Sequence, residues 1–279
     1  MSVSDAGQSA KGSGSKETYT FQRTASATGG MAARRAQTHA AFFTPHLRSG
    51  MRLLDCGCGP GSITCDLAEI VAPAEVIGID ADPKQTEAAI AYAAEQGTAN
   101  VRFQAANIYE LPFPDGSFDA VFAHAILDHL SDPLKAVKEM RRVLRPGGVM
   151  GARSPDFAGI IIAPPHSAMT EFFDLYERLL LRNGGSPHVG KHLRAMFHKA
   201  GCVRIEASAS YECHGTIESV RDASSAIIGA LLGPNGLLVT SGLVDPEQAA
   251  RLAAGLNAWG EDPGAFLARP WCEAVGWVE

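Results

Sequence analysis

A glycine-rich turn follows the first apolar segment of the chain and has the composition of a ligand-binding loop. Residues 53–61 read LLDCGCGPG and place one aspartate and three glycines between a strand and a helix: Asp55, Gly57, Gly59 and Gly61. Glycine has no Cβ, so the chain can turn sharply and bring backbone amides against a ligand. The N-terminus of the following helix favours negative charge. The turn therefore predicts a cofactor site, although strand-to-helix turns also use glycine for structural reasons alone.

A carboxylate ends the next apolar segment. Asp80 closes residues 75–80, EVIGID, and the carboxyl ends of parallel strands meet at one crevice. A carboxylate there can accept hydrogen bonds from both hydroxyls of a ribose. A nicotinamide or flavin dinucleotide would use similar geometry, but its fingerprint G-x-G-x-x-G requires a third glycine where this chain has Ser62.

Three segments taken together resemble the class I S-adenosylmethionine (SAM) dependent methyltransferases. Residues 53–61 resemble the family's glycine motif, residues 105–121 (AANIYELPFPDGSFDAV) its A-x-D-x-x-x-L-P-F-x-x-x-x-F-D segment, and residues 141–150 (RRVLRPGGVM) its later signature. The resemblance runs from about residue 50 to residue 155. It is strongest to the ubiquinone- and menaquinone-biosynthesis type and related small-molecule, natural-product methyltransferases. The resemblance implies an enzyme whose cofactor is SAM.

The resemblance also implies which residues contact SAM. The implied set is Tyr19, Arg35, Asp55, Gly57, Gly59, Gly61, Asp80, Ala81, Asn107, Ile108, Ala123 and His124. The glycines would surround the methionine part, Asp80 the ribose, and Asn107 with Ile108 the adenine. The family commonly has Asp at position 107; the Asn side-chain oxygen still accepts a hydrogen bond but carries no charge.

Three of these implied contacts have a structural alternative. His124 and Ala123 end the fourth strand and would approach the methyl-donating centre, but a packed histidine fits the same pattern. Arg35 would lie near the SAM carboxylate and is equally typical of a surface residue. Tyr19 would fold over the cofactor as a lid or simply anchor the N-terminus.

Methyl transfer from a sulfonium is an in-line displacement that depends on proximity and alignment, so no strong nucleophile is required. An acceptor that must lose a proton needs a general base within reach. The candidates are His129 after the fourth strand and Glu171 and Tyr176 on a later amphipathic helix, which His166 and His188 flank. If Glu171 faced an apolar pocket, burial would raise its pKa and suit it to proton removal. Most such carboxylates are solvated, and His129 is as consistent with anchoring its loop.

The segment around this later helix indicates the chemical class of the methyl acceptor. Residues 157–181 are rich in Phe, Ile, Leu and Met, which favours a hydrophobic small molecule such as a phenol, a quinone precursor or an isoprenoid. Four basic residues are candidates for binding an anionic head group, although each is equally typical of a solvated surface: Arg178, Arg182, Lys191 and Arg194.

Short apolar strands alternate with amphipathic helices and position these residues. The predicted strands are 51–56, 75–80, 100–106, 118–125, 149–155, 203–212 and 266–278, and the predicted helices are 30–46, 62–72, 83–96, 134–144, 168–184 and 188–201, with two more within 216–259. This order predicts an α/β fold: a Rossmann-like, seven-stranded, mostly parallel sheet with helices on both faces and a helical cap over the active site.

The predicted division has four parts. Residues 1–17 are a polar, disordered tail, and residues 18–155 form the SAM-binding core with an N-terminal lid helix. Residues 156–202 form the helical cap that binds the acceptor, and residues 203–279 complete the sheet with additional helices.

Composition and charge narrow the range of possible partners, locations and functions. The net charge is −6 with scattered basic residues, which argues against nucleic acid as a partner. The sequence has no run of about 18 apolar residues and no secretory signal pattern, so we expect a cytoplasmic protein without a membrane span. Six cysteines include a C-x-C pair at 56 and 58 rather than metal-binding spacing, so reduced thiols and no metal are expected. The oligomeric state is left open.

Two other functions are compatible with a SAM site. The first is a cyclase that binds SAM without transferring its methyl group. The second is a non-catalytic, SAM-binding partner subunit, which would lack a closed acceptor pocket.

Overall fold

A computed structural model describes residues 31–279. Its strands are β1 (Leu53–Cys56), β2 (Val76–Asp80), β3 (Val101–Ala105), β4 (Phe118–His124), β5 (Leu144–Pro155), β6 (Ile161–Ala163), β7 (Arg204–His214) and β8 (Phe266–Trp277). Its helices are α1 (Ala36–His39), α2 (Ser62–Val71), α3 (Pro83–Gln96), α4 (Pro133–Arg142), α5 (Ser167–Arg182), α6 (Leu193–Lys199), α7 (Ile217–Ile227), α8 (Leu237–Thr240) and α9 (Pro246–Gly260). The predicted tail 1–17 and the predicted lid residue Tyr19 lie outside the described residues.

The strands form one mixed sheet. Strands β3, β2, β1, β4 and β5 are neighbours in that order and run parallel, and β8 follows β5 in the antiparallel direction. Strand β7 pairs with the other edge of β8, and the short β6 pairs with the start of β8. The predicted Rossmann-like sheet is confirmed, with β6 as an additional strand. The last strand of the chain lies between β5 and β7 rather than at an edge.

Local sequence signals explain the helices around the cofactor turn. The Asp82 side chain accepts a hydrogen bond from the Lys84 N–H and begins α3 at Pro83, and Gly97 ends the helix in the left-handed conformation. Asp132 caps α4 in the same way. Such caps satisfy backbone groups that have no partner within the helix. The prediction of helix 83–96 is therefore confirmed to the residue.

The prediction of an opening helix over residues 30–46 is wrong for the residues that the structure describes. Its described residues contain helical backbone at Met31 and Ala32, the short α1 and a single 3₁₀ turn, Thr44–His46, with breaks between them. Arg35 has φ −131° and ψ 148°, an extended conformation through which an α-helix cannot continue. The amphipathic spacing did not reveal this break.

Two apolar layers flank the sheet, and a third apolar cluster forms a cap above its carboxyl edge. The cap consists of α5, α7, α8 and α9 with the π-turn Ile228–Leu232. Helix α6 does not join it: Leu193, Met196 and Phe197 pack in the sheet core with α4. The cap therefore comes from two stretches of chain separated by β7, a division that differs from the predicted cap of 156–202.

One cap segment is unusually apolar in composition. Within residues 31–279, Ile217–Thr240 is the one helical stretch long and apolar enough to cross a membrane by length and composition, and 28% of its most apolar window is buried. The stretch is not one continuous α-helix, since a π-turn and the segment 233–236 separate α7 from α8. Val220, Leu231 and Leu238 pack in the cap core.

Candidate active site

The glycine turn after β1 is shaped by left-handed backbone. Gly57, Gly59 and Gly61 have φ values of 77°, 52° and 84°, a region that residues with a Cβ rarely adopt. A Cβ on Gly57 would lie 2.5 Å from Ile126 Cδ1, and one on Gly61 would lie 2.8 Å from Ala89 Cβ. At Gly59 the nearest atom would be 3.8 Å away. Gly57 and Gly61 therefore allow close packing, whereas a Cβ on Gly59 would make only an ordinary van der Waals contact with Met31.

Asp80 at the end of β2 is tied to this turn. Its Oδ2 accepts a hydrogen bond from the Gly59 N–H at 3.0 Å, and its Oδ1 accepts one from the Asp82 N–H at 3.0 Å. Burial raises the pKa of the Asp80 carboxyl, while these backbone donors oppose the rise. The contacts hold the carboxylate at the carboxyl edge of the sheet, as the sequence predicted.

Asp55 is the second carboxylate of the turn. It is buried, and its Oδ2 accepts a hydrogen bond from Thr64 Oγ1 at 2.6 Å. Burial raises the pKa of Asp55 to about 7, and the nearby Asp80 charge adds to the rise. A cation placed beside Asp55 would favour its ionised form.

A cavity of about 680 Å³ opens over these residues. Eight of the predicted cofactor residues line it: Asp55, Gly57, Gly59, Asp80, Ala81, Asn107, Ile108 and His124. Its volume lies within the range of small-molecule sites.

Three predicted contacts within the described residues do not line this cavity. Gly61 acts through the packing of α2 on α3, and Ala123 is buried in the sheet core. Arg35 is half-exposed and pairs with Asp66 at 3.5 Å and with the Tyr92 hydroxyl. The adjacent Arg34 lines the cavity instead, because the extended conformation at Arg35 replaces the predicted helix.

A second cavity of about 480 Å³ lies between the sheet edge and the cap. Both cavities share four lining residues: Met31, Arg34, Ala125 and His129. Ala125 follows β4 with φ 53° and is the one non-glycine residue with positive φ among residues 31–279. Such strained backbone often marks functional sites. Here it lies where the two cavities meet.

Two of the three base candidates line the second cavity. His129 is buried in the 3₁₀ turn Leu127–His129, and its Nε2 lies 3.4 Å from Asp128 Oδ2. Tyr176 on α5 stacks on Phe157 with ring centroids 5.2 Å apart. His129 lines the first cavity as well.

The third candidate, Glu171, points elsewhere. Its Oε1 accepts hydrogen bonds from Arg251 at 2.7 Å and from Gln248 at 2.9 Å, both on α9. These donors lower the pKa of Glu171, which corrects the expectation of a raised value in an apolar pocket. Glu171 joins two cap helices because the apolar face of α5 turns toward the cap core.

The flanking histidines and basic residues also have other partners. His166 caps α5, and His188 lies 3.3 Å from Asp156. Arg182 donates to the Ser241 carbonyl oxygen at 2.8 Å, and Lys191 lies 3.8 Å from Asp156. Neither cavity is lined by any of the four basic residues predicted to bind an anionic group, Arg178, Arg182, Lys191 and Arg194.

A buried polar network that the sequence analysis missed separates the cavities. Arg153 on β5 lies 3.2 Å from Glu273 and donates to His124 Nε2 at 3.1 Å. Burial lowers the pKa of His124, so its neutral ring can accept that bond. The His124 ring also stacks on Trp271, with centroids 5.1 Å apart. Trp271 lines the second cavity and His124 the first, so the network holds the wall between them.

Comparison with known proteins identifies the family. The family model described as "Methyltransferase domain" matches residues 47–201, which include the glycine turn, β2, β4 and the start of the cap. The chain is a class I SAM-dependent methyltransferase. It is thus an enzyme, and SAM is its cofactor.

Relatives span most of this methyltransferase. It is 30% identical to an uncharacterized methyltransferase of Schizosaccharomyces pombe over 84% of this chain and 87% of the relative. It is 31% identical to a demethylmenaquinone methyltransferase of Lactococcus lactis over 60% of this chain and 70% of that protein. Two further relatives are matched over only 45% and 44% of their own length.

A solved structure has the same fold. The crystal structure of the YcgJ protein from Bacillus subtilis superposes with a TM-score of 0.60 and 21% identity, covering 87% of this chain and 99% of that one. At this identity the likeness concerns the fold alone. It supports the Rossmann-like assignment made from the strand order.

The residues of the first cavity fit SAM. Gly59 lines the cavity without a Cβ, so a ligand can approach its backbone, and Asp80 offers carboxylate oxygens for ribose hydroxyls. Asp55 supplies negative charge for a cationic cofactor, and the Asn107 side chain offers an amide for the adenine. These residues would hold SAM in the methyltransferase.

Proposed function

We propose that this methyltransferase transfers the methyl group to an oxygen, carbon or nitrogen atom of a hydrophobic, ring-containing small molecule bound in the second cavity. The observation that carries the proposal is the junction of the two cavities at Met31, Arg34, Ala125 and His129. A donor in one cavity and an acceptor in the other meet at that junction. Alignment of the reacting atoms is the main requirement of this reaction.

The walls of the second cavity favour aromatic ligands. Phe157, Phe172, Phe173 and Tyr176 contact one another as a cluster, with Phe172 and Tyr176 rings 5° from parallel. Ile227 and Leu231 of the cap line the same cavity. Flat aromatic rings gain both apolar burial and ring stacking in such a site. Phenols and quinone precursors match these walls.

His129 is the base that this geometry favours. It lines both cavities, so it lies beside the place where the acceptor atom must meet the methyl group. Asp128 lies next to it, and Asp128 Oδ1 is buried with no hydrogen-bond partner among the described residues. For a phenol, His129 would take the hydroxyl proton, and the Asp128 carboxylate would stabilise the resulting imidazolium. SAM, when bound, supplies a sulfonium-activated methyl group.

The test is methyl transfer from isotopically labelled SAM to a panel of phenols, quinols and prenyl compounds, read by mass spectrometry. We expect labelled methyl in a phenol or quinol product. His129→Gln should lower turnover of a phenol by about 100-fold or more, with SAM binding kept. The exposed His198→Gln on α6 is the matched control and should leave turnover unchanged. Full turnover in His129→Gln would exclude His129 as the base, and no labelled product from any ring compound would reject the acceptor class.

The location of the enzyme is a separate proposal. A cytoplasmic location, as predicted from the sequence, suits an enzyme that uses a soluble cofactor. Fractionation of cells that express the tagged protein tests it, and recovery in the membrane pellet would contradict it.

A further inference from the structure

A stripe of polar side chains follows one face of the β7–β8 pair. Residues directly opposite in this antiparallel pair include Ser208 with Glu273, Ser210 with Trp271, and Glu212 with Arg269. Alternate residues of a strand share a face, so these three pairs lie on the same side of the sheet. The stripe begins in the buried network around Arg153 and continues beyond the carboxyl end of β5, where Pro155 pairs with Trp271.

The outermost pair of this stripe lies in the wall of the second cavity. Arg269 Nη2 donates to Glu212 Oε1 at 2.9 Å, and Trp271 Nε1 donates to Glu212 Oε2 at 3.1 Å. All three residues line the cavity, and the side chains of Arg269 and Glu212 stay 37% and 36% exposed. Burial alone would raise the pKa of Glu212, but Arg269 and Trp271 hold it below its usual value. The carboxylate is therefore ionised and both of its oxygens are bonded.

Arg269 keeps unused donors after this pairing. A guanidinium has five N–H groups and no acceptor. Among residues 31–279 its one hydrogen-bond acceptor is Glu212, reached through Nη2, and its Nε is buried without a partner. Because Glu212 already balances the positive charge, the pair as a whole is neutral. The N–H groups of Arg269 that do not contact Glu212 therefore suit a neutral hydrogen-bond acceptor rather than a strongly anionic or a cationic group.

We propose that Arg269, held in place by Glu212 and Trp271, binds a carbonyl oxygen of the methyl acceptor and so selects ring compounds that carry one. This inference rests on the proposed function, since it assigns the polar end of the acceptor in the same cavity. Arg269 lies two residues beyond Trp271 on β8, or about 7 Å along the strand.

Matched ligands test this assignment. Calorimetry with S-adenosylhomocysteine present would compare 2-hydroxyfluorenone with 2-hydroxyfluorene, which has a methylene group in place of the carbonyl. We expect the ketone to bind about tenfold or more tightly to the wild type, as for a hydrogen bond to a charged group. Arg269→Met should reduce this preference to about onefold while the affinity for 2-hydroxyfluorene stays similar.

Two further variants separate recognition from folding. Glu212→Gln/Arg269→Met removes both charges, so no carboxylate is left unpaired, and it should lose the same preference. Arg221→Met removes the exposed pair with Glu261 on the cap and should keep the preference. Equal binding of both compounds to the wild type would overturn the carbonyl assignment and leave the aromatic acceptor class intact. If neither compound binds, this inference is overturned, whereas the acceptor class is decided by the panel assay with labelled SAM.

Discussion

Binding of SAM should be coupled to release of a proton from Asp55. The carboxyl is buried in the wall of the cofactor cavity, and its pKa is about 7 instead of the ordinary 3.8. At pH 6 most of the cofactor-free protein therefore carries a protonated Asp55. SAM brings a sulfonium cation into this cavity, which favours the ionised form. The apparent affinity for SAM should rise with pH between about 5 and 7, by at most tenfold per pH unit.

The same shift makes a prediction about stability. The difference of about three pKa units corresponds to about 4 kcal/mol between the two protonation states. The folded, cofactor-free protein holds a proton that the unfolded chain has already released. Its free energy of unfolding therefore falls as the pH rises from 3.8 to about 7, and the stabilisation is complete only below that window. Asp55→Asn removes this dependence and can still accept the hydrogen bond from Thr64.

Titration calorimetry at pH 6 in two buffers of different ionisation enthalpy measures the proton release. We expect close to one proton per SAM in the wild type and less than half of that in Asp55→Asn. The remainder would come from Asp80, whose pKa is also raised by burial. Asp174→Asn, an exposed position on α5, serves as control. Equal proton release in wild type and Asp55→Asn, or none in either, would refute the reasoning.

Two more substitutions test the assignment of the site. Asp80→Ala removes the carboxylate at the end of β2 and the acceptor for the Gly59 N–H. We expect the affinity for SAM, measured by calorimetry, to fall by about 100-fold or more. An unchanged affinity would contradict the ribose assignment. Glu171→Gln breaks the ion pair with Arg251, which lies outside both cavities. Turnover at saturating SAM should stay within about twofold of the wild type, and the free energy of unfolding should drop by at most about 1 kcal/mol. Loss of turnover would restore Glu171 as a base candidate.

The strand, the glycine turn and the helix at the start of the sheet were predictable because their signals are local. A strand, a glycine turn and a helix follow one another within residues 53–71, and left-handed φ values leave few alternatives to glycine there. Asp80 was predictable for a related reason: parallel strands with right-handed crossovers place their carboxyl ends at one edge.

The lining of the second cavity depended on contacts between distant parts of the chain. Helical spacing could not tell Arg34 from Arg35, because one extended residue decides which of them faces the cavity. It could not show that Glu171 points at α9, 77 residues further along the chain.

The sequence by itself determined the Rossmann-like order of strands and helices, the glycine turn and the carboxylate that closes β2. Only the tertiary structure decided which side chains line the second cavity, since Arg269, Glu212 and Trp271 reach it through the pairing of β7 with β8. The physical reason is that the backbone conformation of a turn is set by the residues next to it in sequence. The orientation of a cap helix or an inserted strand is set by packing against residues far away in sequence.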